Sequence, residues 1–224
     1  MARLQWRLLR EMNVKNDLVQ KVVIVGAGGL GRELFSYLSL EPEKYDVIGF
    51  IDDNLNALDG YKYPVGIIDS ISAYERVKDV KLLNAVMSPV AKEKIVNQLK
   101  NRNHIFISYV SPQSVIGCNV SFGEGCVITP NCIVTADVSV GDFVFLNTGT
   151  TLGHDVSIED FVSINGKVEI CGNVAIGSFC LIGGRAIILP GKTIVAGTMV
   201  GAGSVVVANI RKPMTVFGNP AKKV

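Results

Sequence analysis

From Val110 to Val206 an apolar residue returns at every sixth position without a break: Val110, Ile116, Phe122, Ile128, Val134, Val140, Leu146, Leu152, Ile158, Ile164, Ile170, Ile176, Ile182, Ile188, Ile194, Val200 and Val206. A chain that is 48% hydrophobic would fill such a column only about half the time, so the pattern is a structural repeat. A second column, two residues earlier, holds mostly Val, Cys, Ser, Thr or Ala from Ser114 onward, small side chains that leave room beside the large ones. A period of six matches neither a helical stripe nor simple strand alternation. It fits a short strand and a turn, repeated. Three such units close a triangular coil of eighteen residues, and coils stacked about 4.8 Å apart bury the column in one continuous core while pairing their backbones.

Upstream the grammar changes. Lys21 to Val25 reads as a buried strand that runs directly into Gly26-Ala27-Gly28-Gly29-Leu30-Gly31 and then an amphipathic helix over Arg32 to Leu40. Glycines there allow a tight turn and close approach of backbone to a ligand, and the free N–H groups of a helix start favour phosphate. A second strand, Val47 to Ile51, ends in Asp52-Asp53-Asn54, with Asp52 standing 21 positions after Gly31, about where nucleotide-binding folds keep a ribose-binding acid. A loop with Gly60 and Gly66 follows, then a helix near Ser70 to Val77, a strand over Leu82 to Met87, a helix over Pro89 to Lys100 and a strand over His104 to Tyr109. That makes one small parallel α/β domain, too short for a second mononucleotide half or a catalytic domain for hydride transfer. The turn either binds a nucleotide or merely packs strand on helix.

The expected organisation is therefore an N-terminal extension over 1–20, a Rossmann-like nucleotide-binding domain over 21–109, and a β-helix with a C-terminal tail over 110–224, the two domains in firm contact because no long linker separates them. Net charge of +2 and the lack of an aromatic or basic stripe argue against nucleic acid. The five cysteines form no C-x-x-C, and Cys126, Cys132 and Cys180 fall in the small-residue core column, as buried thiols in a reducing cytoplasm would. Thr193 to Ile210 carries no charge but keeps the six-residue period, so it reads as β-helix and not as a membrane span. Arg3, Arg7 and Arg10 precede no sufficient apolar run, which argues against a secretory signal; Leu4, Leu8 and Met12 fit one side of a short helix, and the alternative is an extension upstream of a start at Met12.

Ile116-Gly117, Val140-Gly141-Asp142-Phe143 and Ile176-Gly177-Ser178-Phe179 resemble the hexapeptide acyltransferases. With Val25-Gly26-Ala27-Gly28-Gly29 and Gly31-Arg32, Ile51-Asp52-Asp53-Asn54, Gly153-His154-Asp155 and a terminal Gly218-Asn219-Pro220-Ala221-Lys222, the chain resembles the bacterial sugar O-/N-acyltransferases of the NeuD and PglD type from about Val22 to Lys222. The resemblance implies an α/β domain followed by a left-handed parallel β-helix. Spacing alone does not give that hand, since ordinary parallel crossovers are right-handed. It also implies acetyl-CoA as co-substrate with no metal, a sialic acid or nucleotide-linked amino sugar as acceptor, and a homotrimer that holds the donor between subunits.

Of two histidines, His104 sits in a polar run before a strand and carries no assigned role, whereas His154 occupies an outward corner of the repeat. Acetyl transfer needs a base for the attacking group's proton, a donor for the developing oxyanion, and alignment of both substrates. His154 fits the base at neutral pH. Asp155, Asp137 and Glu159 are candidates to orient it, and Asp155 matches the family's His-Asp/Glu pair. Gly172, eighteen residues on, should stack one coil above with its N–H toward a thioester oxygen. By resemblance Asn147 lines the acceptor side, and Ser163 replaces a second family histidine that touches the acyl donor. Gly26, Gly28, Gly29, Asp52 and Asp53 are expected to hold the acceptor's nucleotide, and Gly184, Arg185, Ala202, Arg211 and Lys222 to line the CoA groove. The leading expectation is N-acetylation of a nucleotide-linked 4-amino-6-deoxy sugar, with sialic acid O-acetylation and a non-enzymatic nucleotide-binding scaffold as alternatives. A zinc hydratase resembling γ-carbonic anhydrase needs three histidine ligands.

Overall fold

The computed structural model describes residues 19–224. The expected helix of Leu4, Leu8 and Met12 lies outside them. The described chain opens with β1 (Gln20–Val25), β2 (Tyr45–Ile51), β3 (Ile67–Asp69) and β4 (Val80–Asn84), all parallel and ordered β3-β2-β1-β4. β1 is central, and Val22 to Val25 have no exposed surface, which is why this strand is apolar without alternation. Helix α1 (Gly29–Leu38) buries Gly31, Leu34 and Leu38; α2 (Pro89–Lys100) starts with Pro in its first turn and a Ser88 cap, and buries Pro89, Lys92, Val96 and Leu99.

Four local expectations fail here. Ser70 to Val77 forms turns and no helix: the Ser70 hydroxyl and the Asp53 carboxylate capture the N–H groups of Ala73 and Ser72, while Ile71 and Tyr74 still reach the core. β4 stops at Asn84, three residues before Met87, and the segment from His104 to Tyr109 contributes a single bridge, Leu82 to Phe106, before turning into the repeat. Ile67–Asp69, expected as loop, adds an edge strand to β2.

From Tyr109–Val110 the chain winds into the β-helix, and each two-residue strand as far as Ile187–Ile188 pairs in register with the one eighteen residues on, as Leu146 does with Ile164, whereas Met199 pairs with Thr215, sixteen on. The first face carries Val127–Ile128, Phe145–Leu146, Ser163–Ile164 and their successors; the second runs from Val115–Ile116 to Val205–Val206; the third runs from Ser121–Phe122 to Thr193–Ile194. This is the left-handed parallel β-helix that the resemblance implies. The sixth-position column is the core: Ile128, Val134, Leu146, Leu152, Ile164, Ile170 and Ile182 are fully buried, with Cys126, Cys132 and Cys180 beside them. At the opening coil Val110 and Ile116 remain 37% exposed, because no rung precedes them among the described residues. The uncharged stretch from Thr193 supplies three more rungs, and no described helix is long and apolar enough to cross a membrane.

The α/β layer packs on the first face. Outward-facing Val127 and Phe145 share a core with Val22, Leu34 and Phe50, and Phe143 joins Val96, Leu99 and Phe106. Through this seam the Lys92 Nζ donates to the carbonyls of Phe143 (2.7 Å) and Val162 (3.3 Å) and to Ser163 Oγ (2.9 Å). Burial pushes its pKa down to about 7.

Candidate active site

His154 and Asp155 stand at the corner between the second and third faces. Backbone bonds fix both: the Asp155 N–H donates to the carbonyl of Ala136 one coil below, and the His154 carbonyl accepts from Asn173 one coil above. Asp155 takes φ 58°, a left-handed turn that a short polar side chain tolerates. Its Oδ2 lies 2.7 Å from His154 Nδ1. The other two acids are engaged elsewhere: Asp137 accepts from Asn119, and Glu159 accepts from both the N–H and the hydroxyl of Ser178. Among the described residues Asp155 is the acid bonded to the imidazole, and both side chains of the pair are more than half exposed.

Gly172 lies where the repeat places it. A Cβ on this residue would fall 2.6 Å from His154 Nε2 and 2.7 Å from Cε1, so the ring rests directly over a bare backbone. No hydrogen bond engages the Gly172 N–H among the described residues. Beyond this corner the third face carries a groove of about 460 Å³, lined by Ser157, Glu159, Ala175, Thr193, Ala196 and Arg211.

Other expected residues fall elsewhere. Ser163 has no exposed surface and accepts from Lys92 under the α/β layer, so the position expected to touch the acyl donor is part of the seam between layers. Asn147 belongs to the corner between the first and second faces, where its Oδ1 accepts from the Thr148 N–H, and so does not meet His154 within one chain. Gly184 and Arg185 follow Leu181–Ile182 at that same corner, with Ala202 one coil above. Lys222 is exposed in a short strand antiparallel to Thr215–Phe217. Sequence reasoning missed Lys92, although its place at the spacing of Pro89, Val96 and Leu99 puts a cation on an apolar helix face.

The Gly-rich turn closes at the carboxyl end of β1, beside the switch point between β1 and β4 where open α/β sheets bind ligands. Gly26 takes φ 100° and donates to the Ile51 carbonyl, and a Cβ on Gly31 would collide with the Gly26 oxygen. Gly28 and Gly29 are exposed at the start of α1, with the Arg32 guanidinium 3.7 Å above the Tyr61 ring nearby. Asp52, expected on a ribose, accepts from the Ala27 and Asn54 N–H groups at 2.8 Å each and so braces the turn itself. Asp53 is exposed and accepts from Ser72.

Residues 21–99 match the family model of the PglD N-terminal domain. The whole described architecture is similar to the acetyltransferase domain of PglB from Neisseria gonorrhoeae FA1090, at 27% identity and TM-score 0.82 over 92% of this chain and 100% of that one; the same domain has been solved with acetyl coenzyme A. PerB from Caulobacter crescentus, solved with CoA and GDP-perosamine, is 25% identical with TM-score 0.83 over 92% of this chain and 98% of its own. WeeI from Acinetobacter baumannii AYE is 27% identical, with TM-score 0.66 over 91% and 99%. The comparison with curated protein sequences returned no match. Residues 21–99 thus match a PglD N-terminal domain, and the chain as a whole is similar to sugar N-acetyltransferases that join such a domain to a β-helix.

Proposed function

We propose that the chain is an acetyl-CoA-dependent N-acetyltransferase that modifies the amino group of a nucleotide-linked 4-amino-6-deoxy sugar. The observation that carries this reading is the His154 imidazole, held at Nδ1 by the Asp155 carboxylate and seated at Nε2 against the Gly172 backbone. A proton on Nδ1, donated to Asp155, leaves Nε2 as the basic nitrogen of the neutral ring. As the sugar amine attacks the thioester carbonyl a C–N bond forms, Nε2 takes the amine proton, and the free Gly172 N–H meets the charge growing on oxygen. Collapse breaks the C–S bond, and the proton passes to the departing sulfur. The ligands of the similar proteins, acetyl coenzyme A in one and CoA with GDP-perosamine in another, support this choice of substrates.

The acceptor's nucleotide would lie over Gly26, Gly28 and Gly29, with Asp52 shaping the turn and Asp53 exposed beside it. The donor contacts expected of Gly184, Arg185 and Ala202 stand at a different corner from His154, as does Asn147. A donor gripped there and reacting at His154 has to bridge two copies packed edge to edge, which is the reason to assign a homotrimer. Exposed Val115 and Ile133 on the second face offer apolar surface for it. The cytoplasm is the assigned compartment.

Mass spectrometry of a panel of nucleotide-linked amino sugars incubated with acetyl-CoA tests the assignment. One sugar should gain a single acetyl group, and His154→Ala should lower turnover by about two to four orders of magnitude while calorimetry shows acetyl-CoA still bound. An unmodified panel, or full activity in His154→Ala, refutes it.

A further inference from the structure

The two ends of the β-helix are finished differently. At the last coils the tail folds over the core: Ile210 bridges to Ile194, Val216 pairs beside Val200, Met214 and Ala221 pack on the same cluster, and Val200 and Val206 keep only 2% of their surface. At the first coil no described residue does this. Tyr109–Val110, Val115–Ile116 and Ser121–Phe122 are each the outermost strand of their sheet. One coil on, Ile128 and Val134 are fully buried, yet in this coil Val110 and Ile116 are each 37% exposed and Phe122 is half-buried. The core column thus ends in an open apolar floor bounded by three unpaired strand edges. A solenoid needs a cap where its last repeat has no neighbour, and an uncovered strand edge invites pairing with another chain.

The described chain starts beside this floor. Gln20 pairs with Tyr45, and the Tyr45 ring lies 6.0 Å from that of Tyr109 in the first coil. Just after α1, Glu41 accepts from the Tyr109 hydroxyl at 3.3 Å, and Leu40 and Glu41 line a small cavity with Ser111, Pro112 and Gln113 of the same coil. Residues 1–18 therefore join the fold next to its open end. Their sequence is suited to cover it: Leu4, Leu8 and Met12 recur at a spacing of four, with Trp6 and Leu9 as further apolar side chains, and Arg3, Arg7 and Arg10 fall on a different side of such a helical register. We propose that residues 1–18 cap the β-helix, laying Leu4, Leu8 and Met12 over Val110, Ile116 and Phe122 and leaving the three arginines in water. Eighteen residues reach about 27 Å as a helix and about 60 Å extended, so length is no obstacle. Tethered at this point, the segment meets the floor at an effective concentration in the millimolar range, ahead of a second copy of the chain. The tail does the same at the other end of the coil, so the chain would close both ends of its core with its own termini.

The test is deuterium exchange of the whole chain, read by mass spectrometry on the peptides 1–12 and 110–123, in wild type and in Leu8→Asp. Both peptides should be protected in wild type. In the variant both should exchange about ten- to a hundredfold faster, and by the same factor, because a single opening reaction uncovers them. Trp6 is the one tryptophan of the chain, so its quenching by iodide reads the same event in solution and should rise in Leu8→Asp. A wild-type peptide 1–12 that exchanges like free chain overturns the cap. So does a peptide 110–123 that stays equally protected in the variant, and if that protection grows with protein concentration a second copy covers the floor instead. Should Leu8→Asp aggregate, Leu8→Ala decides by a smaller, still matched shift in the two peptides. Neither measurement involves acetyl transfer, so the cap stands or falls independently of the enzymatic reading.

Discussion

Replacing Gly172 with alanine is the sharpest probe of the site, because it adds one methyl group at the place where the imidazole rests. The new Cβ falls 2.6 Å from His154 Nε2, about 0.8 Å short of ordinary contact at 3.4 Å. The backbone of Gly172 is tied to its neighbour by the Gly191 N–H, whereas the His154 side chain is 70% exposed, so the ring gives way. Moving it by nearly an ångström breaks the 2.7 Å bond to Asp155 and turns Nε2 out of line with the acceptor. A misplacement of that size costs roughly 10²-fold in rate. Stability should barely change, since nothing buried is disturbed: about 0.5 kcal/mol or less, which in a chain of this size is a shift of about 1–2 °C in Tm. Steady-state thiol release from acetyl-CoA, with scanning calorimetry alongside, reads both quantities. A Gly172→Ala protein with wild-type turnover refutes the placement of the base, and one that unfolds many degrees early refutes the view that the ring is free to move.

Two further outcomes follow from the same geometry. Asp155→Asn keeps the shape of the pair but removes the negative charge and can present an NH2 donor to Nδ1, which favours the wrong tautomer, so kcat should fall by about ten- to a hundredfold with little change in KM for either substrate; parallel kinetic measurements on both substrates check this. Lys92, with its pKa pushed down to about 7 in the folded protein, makes folding weaker as pH falls from the range of a free lysine toward 7, because the unfolded chain binds a proton that the folded chain does not. The stability of wild type relative to Lys92→Met should therefore rise between pH 7 and about 10, approaching 1.4 kcal/mol per pH unit, and urea midpoints across that range would expose a flat difference if the amine stays charged when buried.

How far the sequence could be read depends on which contacts are local. The column from Ile128 to Val200 is buried because a six-residue unit returns each of these positions to the same side of the coil, and the same arithmetic puts Gly172 over His154. The strand, glycine turn and helix from Gln20 to Leu38 were legible for a similar reason: each residue's role is set by its immediate neighbours. Ser70 to Val77 misled because helical spacing of Ile71 and Tyr74 also suits a turn, and short polar side chains tipped the backbone that way.

What periodicity leaves open is the outer surface. Val127, Phe145 and Ser163 occupy outward positions indistinguishable in the repeat from those on the other faces, yet all three are buried, because the α/β layer docks on one face and not on the other two. That docking turned Ser163 from a candidate donor contact into a partner of Lys92, and the distribution of residues over three corners separated Asn147 from His154. The sequence by itself determined the coil, its core, the glycine turn and the pairing of His154 with Gly172, all consequences of spacing along one chain. Only the tertiary structure decided which face is covered and what Ser163 meets beneath that cover, since this depends on side chains brought together from different layers, whose meeting no local pattern encodes.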